Sequence, residues 1–351
     1  MKKRLFCYVS LMLILILDSK TAMEGVSDGI GLCTRSVIPS LFPFLVLSSL
    51  LTEALRHVCL PAPKVLCAIF RIPANALPVV LLGFLGGYPS GAQAAARSVA
   101  DGSISREKSR NLLAFCSNAG PSFLFGMGSA IFPNRWMSWT LWGIHIVSAL
   151  LVAQCFPCQP EDRCVSKTHS SGTINQAMER CTRVMAMICG WVLLFRVLLR
   201  FCDKWILWFL PDWLRILLFG ILELSNGICE LGQLESIRLR FVLFSAMLGF
   251  GGLCVTMQTY TVAKELDTSC YLPGKLLQGL ISAMLAASVF SQEIATLTIA
   301  CILFLLLLRK KGIAFGNKLM YNRENPTGRK ASCYFAKRSR RNALIVSTPP
   351  S

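Results

Sequence analysis

The chain has 351 residues, a formal net charge of +18 and 54% hydrophobic residues, with a mean hydropathy of +0.56. A soluble nucleic-acid binder could reach that charge but not with so apolar a chain, and a disordered basic chain needs low hydrophobicity. Charged residues make up 15%, against about 25% in ordinary soluble domains, which leaves an all-α polytopic integral membrane protein.

In chain order, Lys2, Lys3 and Arg4 precede the apolar run Leu5–Leu17. The pattern reads as a signal anchor or first transmembrane helix over residues 1–19, retained because Ser19-Lys20-Thr21 is a poor cleavage site. The apolar blocks that follow are Val37–Leu55, Ile72–Ala100, Asn111–Phe132, Trp136–Phe156, Val184–Cys202, Trp205–Leu222, Phe241–Ala263, Leu276–Phe290 and Ile294–Leu308. Residues 20–309 form one membrane domain, with halves at about 20–157 and 178–309 joined by a cytoplasmic loop, 158–177. Residues 310–351 read as a basic, disordered cytoplasmic tail with a capacity for anionic lipid.

The charges set the topology. Residues 309–351 hold 11 Lys or Arg against Glu324 alone, and the two chain ends carry 13 of the 18 charges. By the positive-inside rule both termini are cytoplasmic and the number of crossings is even. Ten single crossings would put the loop holding Arg97, Arg106, Lys108 and Arg110 outside. Reading Ile72–Ala100 and Phe241–Ala263 as re-entrant hairpins leaves about eight crossings. It places the basic loops 56–71, 97–110, 158–183 and 264–275 inside, with 18–35, 133–135, 203–204 and 291–293 as outside loops.

Both hairpin segments are interrupted alike. The first reads Leu82-Gly83-Phe84-Leu85-Gly86-Gly87-Tyr88-Pro89-Ser90-Gly91-Ala92-Gln93, and the second Leu248-Gly249-Phe250-Gly251-Gly252-Leu253-Cys254-Val255-Thr256-Met257-Gln258. Paired glycines permit unusual backbone angles, Pro89 removes a donor, and broken helix at membrane depth survives only inside protein or beside a polar cavity. Gln93 and Gln258 lie one to two turns past the breaks. Each amide is either helix-packing glue or part of a solute site. Two further breaks are alike: Ser117-Asn118-Ala119-Gly120-Pro121, and Glu223-Leu224-Ser225-Asn226-Gly227. Glu223 is either an intramembrane functional carboxylate or an interfacial group paired with Arg215 or Arg238. The first half has the glycine pair and then Ser-Asn, whereas the second has them in reverse, which does not fit a plain duplication.

Val37-Ile38-Pro39-Ser40-Leu41-Phe42-Pro43-Phe44, Gly86-Gly87-Tyr88-Pro89-Ser90-Gly91-Ala92, Phe115-Cys116-Ser117-Asn118-Ala119-Gly120-Pro121, Glu223 with Gly227, and Gly251-Gly252 with Gln258 occur in this order. Over roughly residues 20–310 the chain resembles the sporulation integral membrane proteins of the YlbJ type, which carry a Gate, or nucleoside-recognition, domain. Spore maturation membrane proteins and part of the ferrous iron transporter B membrane region are related to these. The resemblance implies a multispanning cell-membrane protein needed for spore formation, in cortex assembly, with other spore membrane proteins as partners. Its domain name suggests nucleoside recognition, by analogy with concentrative nucleoside transporters. Gly251-Gly252-Leu253-Cys254 departs from the pattern, lacking the Pro and third Gly of the first hairpin, and the basic tail is longer than the family's.

Cys155, Cys158, Cys164 and His169 have a spacing that could ligate zinc, but there is one Cys-x2-Cys at a membrane edge, and incidental cysteines are the expectation. No soluble-enzyme motif is present, and no enzyme activity, cofactor, metal or nucleic-acid partner is expected. The expected site is for a small polar solute. Gly86, Gly87 and Gln93 face Gly251, Gly252 and Gln258 there, with Asn118, Glu223 and Asn226 nearby. The alternative is a non-transporting scaffold that recruits spore-envelope assembly proteins.

Single-cysteine accessibility labelling tests the topology. Probes at positions 106 and 108 should react only from the cytoplasmic side, and labelling from outside would overturn the assignment.

Overall fold

Long apolar runs with no strand alternation fold here as helices: every regular element among the described residues is helical. The computed structural model describes residues 2–55, 67, 71–156 and 174–310. The tail beyond Lys310 and residues 157–173, which hold Cys158, Cys164 and His169, lie outside the described residues.

Helices α1 (Lys2–Leu17), α2 (Ser19–Leu32) and α3 (Ile38–Leu55) open the chain. Asp18 caps α2, accepting from the Thr21 backbone N–H. A π-turn, Cys33–Val37, joins α2 to α3, so that Ser19–Leu51 runs on as a 33-residue helix. Here the structure corrects the sequence reading, which made 18–35 an outside loop. Gly25 and Gly29, one turn apart, let α2 lie directly on α9 (Ile174–Cys202). A Cβ at Gly25 would sit 2.8 Å from the Val197 Cα, and one at Gly29 2.8 Å from a Leu193 methyl. The acids that looked like loop charges are ion-paired along this seam. Asp28 takes Arg200 Nε at 2.8 Å and Arg196 at 3.8 Å, and Asp18 takes Lys204 at 2.6 Å.

The first half continues with α4 (Leu77–Gly86), α5 (Ser90–Ala100), α6 (Arg106–Leu113), α7 (Pro121–Ile131) and α8 (Arg135–Cys155). The second consists of α9, α10 (Asp212–Leu222), α11 (Leu224–Glu230), α12 (Ile237–Phe250), α13 (Gly252–Val262), α14 (Tyr271–Ser288) and α15 (Gln292–Lys310). Several of these are half-length. Helices of 10 or 11 residues, such as α4, α5, α7, α10 and α13, rise only about 15–16 Å, half of a roughly 30 Å hydrocarbon core.

The glycine-pair breaks occur where the sequence places them, yet they differ in kind. At the first, Gly87 has φ +76° and the chain folds back, α5 packing along α4. The carbonyl of Cys116 lies against Gly83 and Gly91, where any side chain would collide with it. At the second, Gly251 has φ +83° and the chain does not fold back: Ile237–Val262 is a 26-residue span bent at that point. The second fold-back is instead α10–α11, with Glu223 at its turn and Gly220 against Gly227. The block read as one span, Trp205–Leu222, is a π-turn, Asp203–Leu207, followed by the first limb of this hairpin.

The reassignment removes the reversed order seen in the sequence. A span (α3), a hairpin (α4–α5), a broken span (α6–α7) and a span (α8) are followed by a span (α9), a hairpin (α10–α11), a broken span (α12–α13) and a span (α14). α3 packs on α9, and α8 on α14. The second repeat thus has the element order of the first, a feature of transporter folds built from internal repeats.

Among the described residues four helices are long and apolar enough to cross a bilayer, and four apolar helices are shorter. Outward-facing apolar side chains on α1, such as Phe6 and Leu17, and exposed tryptophans at the start of α8 and around the α9–α10 turn (Trp136, Trp139, Trp205, Trp208, Trp213) suit lipid and its interface. The chain is thus an all-α, multi-pass membrane protein.

Gly83→Ala is expected to lower stability by about 1–3 kcal/mol through overpacking against a backbone carbonyl. Gly126→Ala, with open space at its Cβ position, should be neutral or stabilising. Melting temperatures of the two variants in detergent check this.

Candidate functional site

The four helix interruptions converge. Gly87, at the tip of the first hairpin, stacks on the Gly120 backbone, where a Cβ would come within 3.0 Å of the Gly120 nitrogen. Tyr88 crosses to the other repeat, donating its hydroxyl to the Leu248 carbonyl at 3.0 Å, with its ring over Gly251. Gly252 lies on the turn of the second hairpin, a Cβ there being 3.1 Å from the Gly220 oxygen and 3.2 Å from the Leu224 nitrogen. Between these tips is a cavity. Tyr88, Gly120, Glu223, Ser225 and Gln258 line it, with Ser40 and Leu41 of α3 and Ile188 and Val192 of α9 closing it. Its water-accessible volume is about 40 Å³, room for roughly one to three waters.

Glu223 is buried, and its carboxylate caps α11, accepting from the backbone N–H of Ser225 at 3.1 Å and of Asn226 at 2.7 Å. Neither arginine weighed as its partner pairs with it: Arg215 pairs with Asp203, and Arg238 lies over the Phe290 ring. Asn226 accepts from Arg196 instead. The Ser225 hydroxyl bonds to the carboxylate as well, so three of its roughly four acceptor positions are engaged and about one is left over. Gln258 is buried, and its amide nitrogen contacts the Cys254 sulfur at 3.4 Å, a weak acceptor.

Behind Tyr88 lies a polar core that the sequence reading missed. Lys275 had been counted with the basic loop 264–275. It lies inside α14 and is fully buried. Its ammonium donates to the Ser117 carbonyl and to Gln278 Oε1, both at 2.6 Å, and sits 4.9 Å from the centre of the Tyr88 ring. Gln278 donates onward to Asn118 Oδ1 at 2.9 Å, and Asn118 to the Phe115 carbonyl at 2.8 Å. His145 Nε2 accepts the Ala119 N–H at 3.1 Å, and Ser148 and Ser282 join α8 to α14 at 2.9 Å. These groups satisfy the unwound segment 114–120, whose free carbonyl and amide groups need partners at membrane depth. The sequence signal was a polar stripe, Lys275, Gln278 and Ser282, at helical spacing opposite His145 and Ser148.

The expected residues therefore divide. Gly87, Gly251 and Gly252 form the tip contacts, and Gly86 ends α4 against Ser90. Glu223 and Gln258 share the cavity. Asn118 supports the unwound backbone behind it, whereas the Asn226 side chain is turned to Arg196. Gln93 is not brought to Gln258: it is half-buried in a separate cleft with Arg97, Arg183 and Lys264.

Compared with known proteins, the chain is similar to the sporulation integral membrane protein YlbJ of Bacillus subtilis (strain 168). It is 25% identical over 312 residues, covering 76% of this chain and 76% of that protein. This relative bears out the resemblance carried by the motifs. No protein-family model matches the chain. No solved structure matches it either.

Lys275→Met should leave the Ser117 and Gln278 oxygens without a donor and destabilise the protein by about 2–4 kcal/mol. Combining it with Gln278→Met should cost less than the sum of the single changes. Unfolding in mixed micelles across this double-mutant cycle measures the coupling.

Proposed function

We propose that this chain is an integral membrane protein of sporulation, acting in assembly of the spore cortex, and that it binds and moves or senses a small polar solute such as a nucleoside. One observation carries the reading: two repeats of like order bring four helix interruptions to one cavity, and the cavity holds an intramembrane carboxylate and an amide. Broken helices meeting at mid-membrane are the binding architecture of many secondary transporters. The remaining acceptor capacity of Glu223 and the weakly engaged amide of Gln258 suit the N–H, O–H and C=O groups of such a solute.

A second reading, a membrane scaffold that recruits spore-envelope assembly proteins, is favoured by the size of the cavity. Its water-accessible volume of about 40 Å³ is well below the 300–1,000 Å³ of ordinary ligand pockets.

Thermal stabilisation of the detergent-purified protein by a nucleoside panel separates the two. Under the solute reading at least one nucleoside raises the melting temperature by mass action. Glu223→Gln and Gln258→Ala remove that shift and the yield of heat-resistant spores without lowering accumulation in the membrane. No shift across the panel, with full spore yield from Gln258→Ala, would leave the scaffold.

A further inference from the structure

A second, larger cleft lies away from the central cavity, at the far ends of the second limbs of both interrupted segments. Its water-accessible volume is about 620 Å³, within the range of ligand sites of metabolite size. Four separate stretches of chain supply its cations: Arg97 from α5, Arg106 from α6, Arg180 and Arg183 from α9, and Lys264 after α13. Against these five stand Glu179 and Glu265, a net charge of +3 among the described lining residues. Glu179 is engaged with Arg183 at 2.7 Å.

The arrangement is more specific than a basic loop. On α5, Gln93 and Arg97 are four residues apart, and on α9, Gln176, Arg180 and Arg183 recur at helical spacing. Each helix therefore presents an amide and guanidinium groups along one face. Positive-inside orientation requires only that the loops carry Lys and Arg. It does not require that four stretches turn them into one concavity, nor that amide donors accompany them. Several guanidinium forks with neutral donors between them match the tetrahedral oxygens of a phosphate group.

We propose that this cleft binds a phosphate-bearing anion, either the headgroup of an anionic lipid or a soluble phosphate compound. The ligand lies between α5 and α9, with Arg97, Arg180, Arg183 and Lys264 as its main contacts and Gln93 as a neutral donor. The site does not depend on the central cavity binding a solute, because the two share no lining residue.

The test uses the full chain in two arms. In one, the melting temperature in detergent is followed with inorganic phosphate against chloride at matched ionic strength. In the other, the protein is reconstituted in nanodiscs of phosphatidylcholine with or without phosphatidylglycerol, and bound lipid is counted by native mass spectrometry. The comparison variant is Arg180→Gln/Arg183→Gln/Lys264→Gln, whose three sites are exposed, so that its melting temperature without ligand should match the parent's. The parent should respond in at least one arm, and the variant should bind about tenfold or more weakly in that arm. A response only with phosphatidylglycerol identifies a lipid headgroup, and one only with inorganic phosphate a soluble ligand. No response of the parent in either arm, or equal binding by the triple variant, overturns the proposal.

Discussion

A backbone amide or carbonyl that leaves a helix inside a bilayer finds no water, and must find protein. Among the described residues the helices of the two repeats are interrupted at four converging places, and the architecture follows from how the interruptions supply one another. The hairpin tip at Gly87 rests on the unwound segment 114–120, the kink at Gly251 and Gly252 rests on the hairpin turn at Glu223, and Tyr88 spans between the repeats with one hydrogen bond. What side chains cannot be spared for, glycine allows by close backbone contact. Where close contact is insufficient, Lys275, Gln278 and His145 supply the missing donors and acceptors.

The buried amine of Lys275 shows how such a requirement can place a costly group in the core. Burying a polar nitrogen costs free energy unless it is hydrogen-bonded. Here it meets two oxygens and an aromatic face, one of the oxygens belonging to an unwound backbone that would otherwise lack a partner. The same group therefore solves two burial problems. Glu223 does the corresponding work in the other repeat, turning a carboxylate toward the free N–H groups at the start of α11.

Much of this was legible in the sequence, and the failures have a common origin. Composition and apolar runs gave the class, and glycine pairs gave both breaks, because these depend on local chemistry. The positions of Glu223 and Gln258 beside one cavity followed from the same breaks. What composition could not reveal was partnership. Asp18 and Asp28 read as loop charges because their partners, Lys204 and Arg200, are more than 170 residues away. Lys275 read as a topology signal because a lysine at the edge of an apolar run usually is one. The second hairpin was assigned to the wrong segment because a glycine pair permits either a kink or a reversal. Only packing decides which: α5 returns along α4, whereas α13 continues beyond α12. Gln93 and Gln258 looked equivalent by spacing, but a fold-back and a kink send the following helix to different neighbours.

The two hairpins also differ in what holds them. The first is seated on a carbonyl oxygen, that of Cys116, wedged between Gly83 and Gly91. A peptide carbonyl has no rotamers and cannot give way. The second is seated on the thioether of Met247, against Gly220 and Gly227, and an unbranched thioether side chain can re-form its contacts through three rotatable bonds. In both hairpins the two limbs meet at glycines, Gly83 with Gly91 and Gly220 with Gly227, so the difference lies in the third body packed on them: a fixed peptide oxygen in one repeat and a side chain with rotatable bonds in the other.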